Sequence, residues 1–171
     1  MSNITLINKL IAKFEQYIIE NIGSCSFNRC LTPELIENHW RELDKKWLSF
    51  NPNLVPKLME KHWNELDIRL LSTNTSLSLK LIEKHWDDLD IDGLSSNKCL
   101  TPEFIEKYWY EWNKYELSFN TSLTTELIRD YLDELDLKAL SSNPNFTLDL
   151  IEEHFDKLDK RELSFNSNLT P

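Results

Sequence analysis

Asparagine returns at one fixed interval along this chain. Asn28, Asn51, Asn74, Asn97, Asn120, Asn143 and Asn166 are spaced by 23 residues each time. Two residues before each stands a serine: Ser26, Ser49, Ser72, Ser95, Ser118, Ser141 and Ser164. Three residues after each stands Leu31, Leu54, Leu77, Leu100, Leu123, Phe146 or Leu169. A period held over six complete units without an insertion commits every residue of the unit, loops included, to one geometry. Periods of this size belong to arrays in which each unit buries its apolar face against its neighbours.

The unit from Asn28 to Phe50 shows what repeats. Thr32-Pro33-Glu34 reads as an N-cap, a first helical position and an acid in the first turn. Leu35, Ile36, His39, Trp40 and Leu43 then fall on one helical face, with Glu37, Asn38, Arg41 and Glu42 opposite. Asp44 is placed to cap a second, shorter helix, in which Trp47 and Leu48 supply apolar contacts. Ser49-Phe50-Asn51 ends it, with Asn51 suited to a left-handed conformation, and Pro52 forbids continuation. The pattern predicts a helix of about three turns, a tight turn, a helix of one to two turns and a capped connector. A leucine-rich repeat would need an apolar residue five before each Asn, for the inner face of its strand. Lys46, Arg69, Asp92, Tyr115, Lys138 and Arg161 stand there instead. Two glycines in 171 residues also argue against hairpins. The expected fold is all-α: an α-solenoid of two-helix repeats over 28–171, six complete and the start of a seventh.

Residues 1–27 lack the motif and read as a separate N-terminal capping helix. Ile7, Leu10, Ile11, Phe14, Tyr17, Ile18 and Ile22 are apolar at helical spacing, and Gly23 suits the position after its end. At the other end, Thr170-Pro171 announces a helix that does not follow, so the array is expected to continue in a longer chain. Phe146, Leu150, Ile151, Phe155, Leu158 and Leu163 are then expected to lie uncovered, open to fraying or self-association.

Phrases such as Leu140-Ser141-Ser142-Asn143-Pro144-Asn145-Phe146-Thr147, followed by Leu150-Ile151-Glu152-Glu153-His154, resemble the short repeats of giant DNA viruses. The resemblance covers residues 26–171. It implies a viral origin, no enzymatic activity and a place in the host cytoplasm or the virion. The units starting at Asn74, Asn97 and Asn120 lack the proline after Asn, so that proline is not essential to the unit.

Composition excludes several functions. A net charge of −10 and a pI near 4.9 disfavour nucleic-acid binding, which needs clustered Lys and Arg. Asn8, Lys9, Lys13 and Glu15 interrupt the N-terminal apolar residues, so no secretory signal is visible and no membrane span is expected. Cys25, Cys30 and Cys99 are odd in number and lack metal spacing, which suits reduced thiols in a cytoplasmic protein.

The remaining columns yield candidate sites. Ser49, Asn51, Ser72, Asn74, Ser95, Asn97, Ser118, Asn120, Ser141 and Asn143 read as a structural ladder, because a catalytic serine needs one copy and one base. His39, His62, His85, Tyr108, Tyr131 and His154 form a column in which Tyr replaces His, as hydrogen bonding tolerates and metal ligation does not. No cofactor or metal is expected. Trp40, Trp63, Trp86, Trp109, Leu132 and Phe155 read as core, and Asp44, Asp67, Asp90, Asn113, Asp136 and Asp159 as caps. One unit departs: Tyr108, Trp109, Tyr110, Trp112 and Tyr115 crowd together, with Tyr110 and Tyr115 in columns otherwise mostly polar or charged. Aromatics of this kind dominate interface hot spots, which makes these five the candidate partner-binding residues. The expected function is a non-catalytic protein-interaction module or scaffold. A virion component assembling through its open end is the alternative within binding proteins, and a metal-dependent enzyme using the His column is the remaining one.

Overall fold

A computed structural model describes residues 29–169 continuously, together with Lys9, Leu10, Lys13, Gln16, Tyr17, Glu20, Asn21 and Ser26. The expected capping helix over 1–27 falls mostly outside the described residues. Among the described residues the chain is all-α, without strands, and no helix is long and apolar enough to cross a membrane. It divides into two compact units, 1–81 and 82–171.

In the first unit the helices are Pro33–Asn38, Lys45–Ser49, Pro56–Lys61 and Ile68–Ser72, with the start of Leu79–Lys84. The capping residues perform as their chemistry dictates. Thr32 accepts the Leu35 N–H, Asp44 accepts those of Lys46 and Trp47, and Asp67 accepts that of Leu70. The short helices Lys45–Ser49 and Ile68–Ser72 pack side by side. Leu31, Ile36, Leu48, Leu54, Met59 and Leu71 are wholly buried.

The second unit repeats the plan with Ile91–Ser95, Pro102–Lys107, Lys114–Ser118, Thr125–Asp130, Leu137–Leu140, Leu148–His154 and Lys160–Leu163. Asp90, Asn113, Asp136 and Asp159 each cap the short helix that follows. Ile91–Ser95 packs on Lys114–Ser118, which packs on Leu137–Leu140. Ile82, Leu94, Ile105, Leu117, Leu123, Ile128, Leu140 and Phe146 are wholly buried.

Four expectations need correction. The first helix of a unit is not about three turns long. It breaks at the His/Tyr column, where φ lies between −112° and −122°, and a 3-10 turn such as Trp63–Glu65 or Trp109–Glu111 follows. The apolar face carries on through a 3-10 turn, so periodicity alone conceals the break. Secondly, no described residue other than glycine has a positive φ, so Asn51 ends nothing by a left-handed turn. Its side chain instead donates to the Ser26 carbonyl and accepts the Asn53 N–H, both at 2.9 Å. Thirdly, Trp47 is 51% exposed, and Leu48 and Ser49 are the buried residues of that helix. Fourthly, Phe146, Leu150, Ile151, Leu158 and Leu163 are buried, and only Phe155 of the expected uncovered stripe is exposed.

Candidate functional site

The Ser column is buried at Ser26 and from Ser49 to Ser141, and the Asn column from Asn51 to Asn166, whereas Ser164 is exposed. The buried serine hydroxyl works in two directions. Ser118 Oγ donates to the Lys114 carbonyl at 2.6 Å and accepts the Asp136 N–H of the next repeat at 3.0 Å. Ser49 does the same with Lys45 and Asp67, and Ser141 with Leu137 and Asp159. Each asparagine amide reaches backwards. Asn120 Nδ2 donates to the carbonyls of Ser95 at 2.9 Å and Asn97 at 3.0 Å, while its Oδ1 accepts the Ser122 N–H at 2.9 Å. Asn74, Asn143 and Asn166 repeat the pattern. With both amide N–H groups, the hydroxyl proton and an acceptor site engaged, these side chains meet the requirement that buried polar groups be satisfied. The asparagine fills several bonds at once because an amide, unlike a hydroxyl, carries two N–H groups and a carbonyl.

A second ladder runs through the aromatic columns. In the first unit the His62 ring stacks on Trp40 of the preceding repeat, centroids 3.8 Å apart and planes inclined by 16°. Glu65 ties the pair together, accepting the Trp40 indole N–H and lying against His62 Nδ1, both at 2.8 Å. These two hydrogen bonds, the indole's first, hold the Glu65 carboxyl below its ordinary range. In the second unit Tyr108 stacks on Trp86 at 4.5 Å and Tyr131 on Trp109 at 3.9 Å, and Glu134 accepts the Trp109 N–H at 2.9 Å. A flat ring over the preceding Trp is the common requirement, which is why Tyr substitutes for His. Among the described residues no three His, Cys, Asp or Glu side chains group as metal ligands would.

Charge links neighbouring repeats as well. Lys61 pairs with Glu37 at 2.8 Å in the first unit, and Lys107 with Glu83 at 2.7 Å in the second. The Lys107 ammonium also sits 4.8 Å from the Tyr108 ring centroid, and the Tyr108 hydroxyl donates to Glu83 at 3.3 Å. Hydrogen bonding and charge from Lys107 hold the Glu83 carboxyl below its ordinary range.

The five candidate partner-binding residues do not form one surface. Trp109 and Trp112 are 2% and 3% exposed and belong to the core. Trp112 occupies a column held by Leu43, Leu66, Leu89, Leu135 and Leu158, and its larger ring packs edge-on to Trp86 and donates to the Ile105 carbonyl. Tyr108 is half-buried in its stack. Tyr110 and Tyr115 are the two that face outwards, 86% and 52% exposed. Tyr115 leans on Phe119 in an edge-to-face contact at 5.3 Å, whereas Tyr110 stands clear on the 3-10 turn Trp109–Glu111.

The inter-repeat pairs escaped the sequence reading, although a signal existed. Trp and an acid recur 25 residues apart, in Trp40–Glu65 and Trp109–Glu134, and Glu and Lys recur 24 apart, in Glu37–Lys61 and Glu83–Lys107. Comparison of the chain with protein-family models, curated proteins and solved structures returns no match.

Proposed function

We propose that this chain is a non-catalytic α-solenoid that serves as a protein-interaction module or scaffold, a part that a viral repeat protein of the kind it resembles would play. The unbroken 23-residue period, which crosses the division at Leu81 without insertion, supports the solenoid. The observation that carries the functional reading is Tyr110. Its column otherwise holds Arg41, Asn64, Asp87, Asp133 and Asp156, and a tyrosine 86% exposed there serves neither core nor cap. The polar side chains that recur are absorbed by the ladders, which leaves the exposed faces for recognition.

Selection of a random peptide library on the purified chain tests this. Peptides that bind the native chain and are lost on Tyr110→Asp, with the melting temperature unchanged, support the reading. A library yielding no Tyr110-dependent peptide overturns it.

A second reading, self-assembly, is favoured by the exposed Leu148, Phe155, Phe165 and Leu169. Sedimentation at rising concentration checks it: a single monomeric species throughout removes it.

A further inference from the structure

The junction between the 97–119 and 120–142 repeats shares the ring stack of the one before it but not its charges. At the earlier junction, Tyr108 stacks on Trp86, Glu83 lies beside it, and the Lys107 ammonium closes the arrangement over the tyrosine ring. At the later junction, Tyr131 stacks on Trp109 and Glu106 takes the place of Glu83. Asp130 takes the place of Lys107. The cation is replaced by a second anion.

Nothing in the described chain makes up for it. Glu106 and Asp130 are exposed and have no ion-pair partner among the described residues, and the adjacent Arg129 is engaged by Asp149. Tyr110 is exposed on the turn that carries Trp109, the ring on which Tyr131 stacks. Glu106 and Asp130 stand one repeat on from Glu83 and Lys107, which lie at the Tyr108 ring; consistently, burial and then the neighbouring Glu106, Tyr110, Asp130 and Glu134 hold the Tyr131 hydroxyl above its ordinary range. An aromatic face rimmed by carboxylates attracts a cation by ring quadrupole and by charge together.

We propose that this junction receives a lysine or arginine side chain from a basic segment of a partner protein, seated over Tyr131 between Glu106 and Asp130 with Tyr110 against its flank. The occupant follows from charge complementarity and from the molecule's own precedent: one repeat earlier, a lysine of the chain fills the equivalent place. Tyr110 favours a peptide over a free ion, because its exposed ring offers apolar contact to the residues beside the cation. The proposal rests on the interaction-module reading and gives that module its class of partner.

The test is a titration of the isotopically labelled full chain with a decapeptide of alternating arginine and serine, followed by backbone amide shifts. Asp130→Lys writes the Lys107 arrangement into the later junction, and Asp156→Lys makes the same change in net charge elsewhere. Shifts should concentrate at Glu106, Tyr110, Asp130 and Tyr131. Asp130→Lys should weaken binding by about tenfold or more and Asp156→Lys by less than about threefold, since a charge at the contact matters more than a distant one. Asp130→Asn serves if the lysine variant fails to fold, with the same ranking expected. Equal weakening by both changes, or shifts spread over all the acidic columns, overturns the assignment. The two readings fail separately. Library peptides that depend on Tyr110 but contain no Lys or Arg leave the interaction module standing and remove this partner class.

Discussion

Asn120 shows at the scale of one residue how this chain holds together. Its side chain is 2% exposed, yet its amide answers two carbonyls of the preceding repeat and one N–H of its own. Removing it strands buried backbone groups, and that asymmetry outweighs the modest net worth of each bond. Asn120→Ala should therefore lower the unfolding free energy by about 1–3 kcal/mol in chemical denaturation. Asn120→Asp should do worse, because it keeps the shape but turns a carboxylate towards two carbonyl oxygens. An alanine variant as stable as the native chain would show the ladder to be ornamental. Glu65 supplies a pH test. Its folded carboxyl sits below the ordinary range, so it contributes stability above that range and loses it as pH falls through the folded value. The melting temperature should drop as the pH goes below about 4. Glu65→Gln, which still accepts the Trp40 N–H, should show a smaller drop across the same pH range.

Among the elements, the short helices are the most regular, and Ile91–Ser95 contains the one evident local conflict. Gly93 lies inside it with a negative φ, where glycine gives up conformational freedom for no geometric gain. The equivalent positions hold Trp47, Leu70, Glu116, Ala139 and Glu162, so the fold has room for a β-carbon. Gly93→Ala should stabilise the protein by about 0.5–1 kcal/mol, read as a shifted denaturation midpoint with an unchanged slope. A loss of stability would mean that Gly93 admits a neighbour too close for any side chain. At this scale the sequence was most readable where rules are local. Thr32, Asp44 and Asn113 announce their helices because a cap binds within three residues of itself. The break at His62 was hidden, since helical and 3-10 turns bury the same face. Trp47 misled because an aromatic ring reads as apolar wherever it stands. Trp112 could have been placed in the core from its leucine column, and the bond from Trp40 to Glu65 is beyond any local rule.

At the scale of the whole molecule, the repeated polar side chains hold one repeat to the next within each unit, and the proposed recognition falls to the departures from repetition. Tyr110 departs from its column at an exposed position and Asp130 ends the run of Lys61, Lys84 and Lys107, whereas Trp112 departs inside the core and changes only the packing. A net charge of −10 agrees with a basic partner. The 23-residue period was legible from asparagines alone; which aromatics stay exposed was not, because exposure depends on how repeats meet. Within each unit, serine and asparagine join each repeat to its neighbour, and native-state hydrogen exchange measures that joining directly. The Asp67, Asn113, Asp136 and Asp159 amides donate to a serine of the repeat before. They should exchange only through unfolding that separates repeats, with opening free energies within about 1–2 kcal/mol of the global value, and Ser118→Ala should speed Asp136 selectively. Exchange at these amides as fast as at exposed turns would contradict the account.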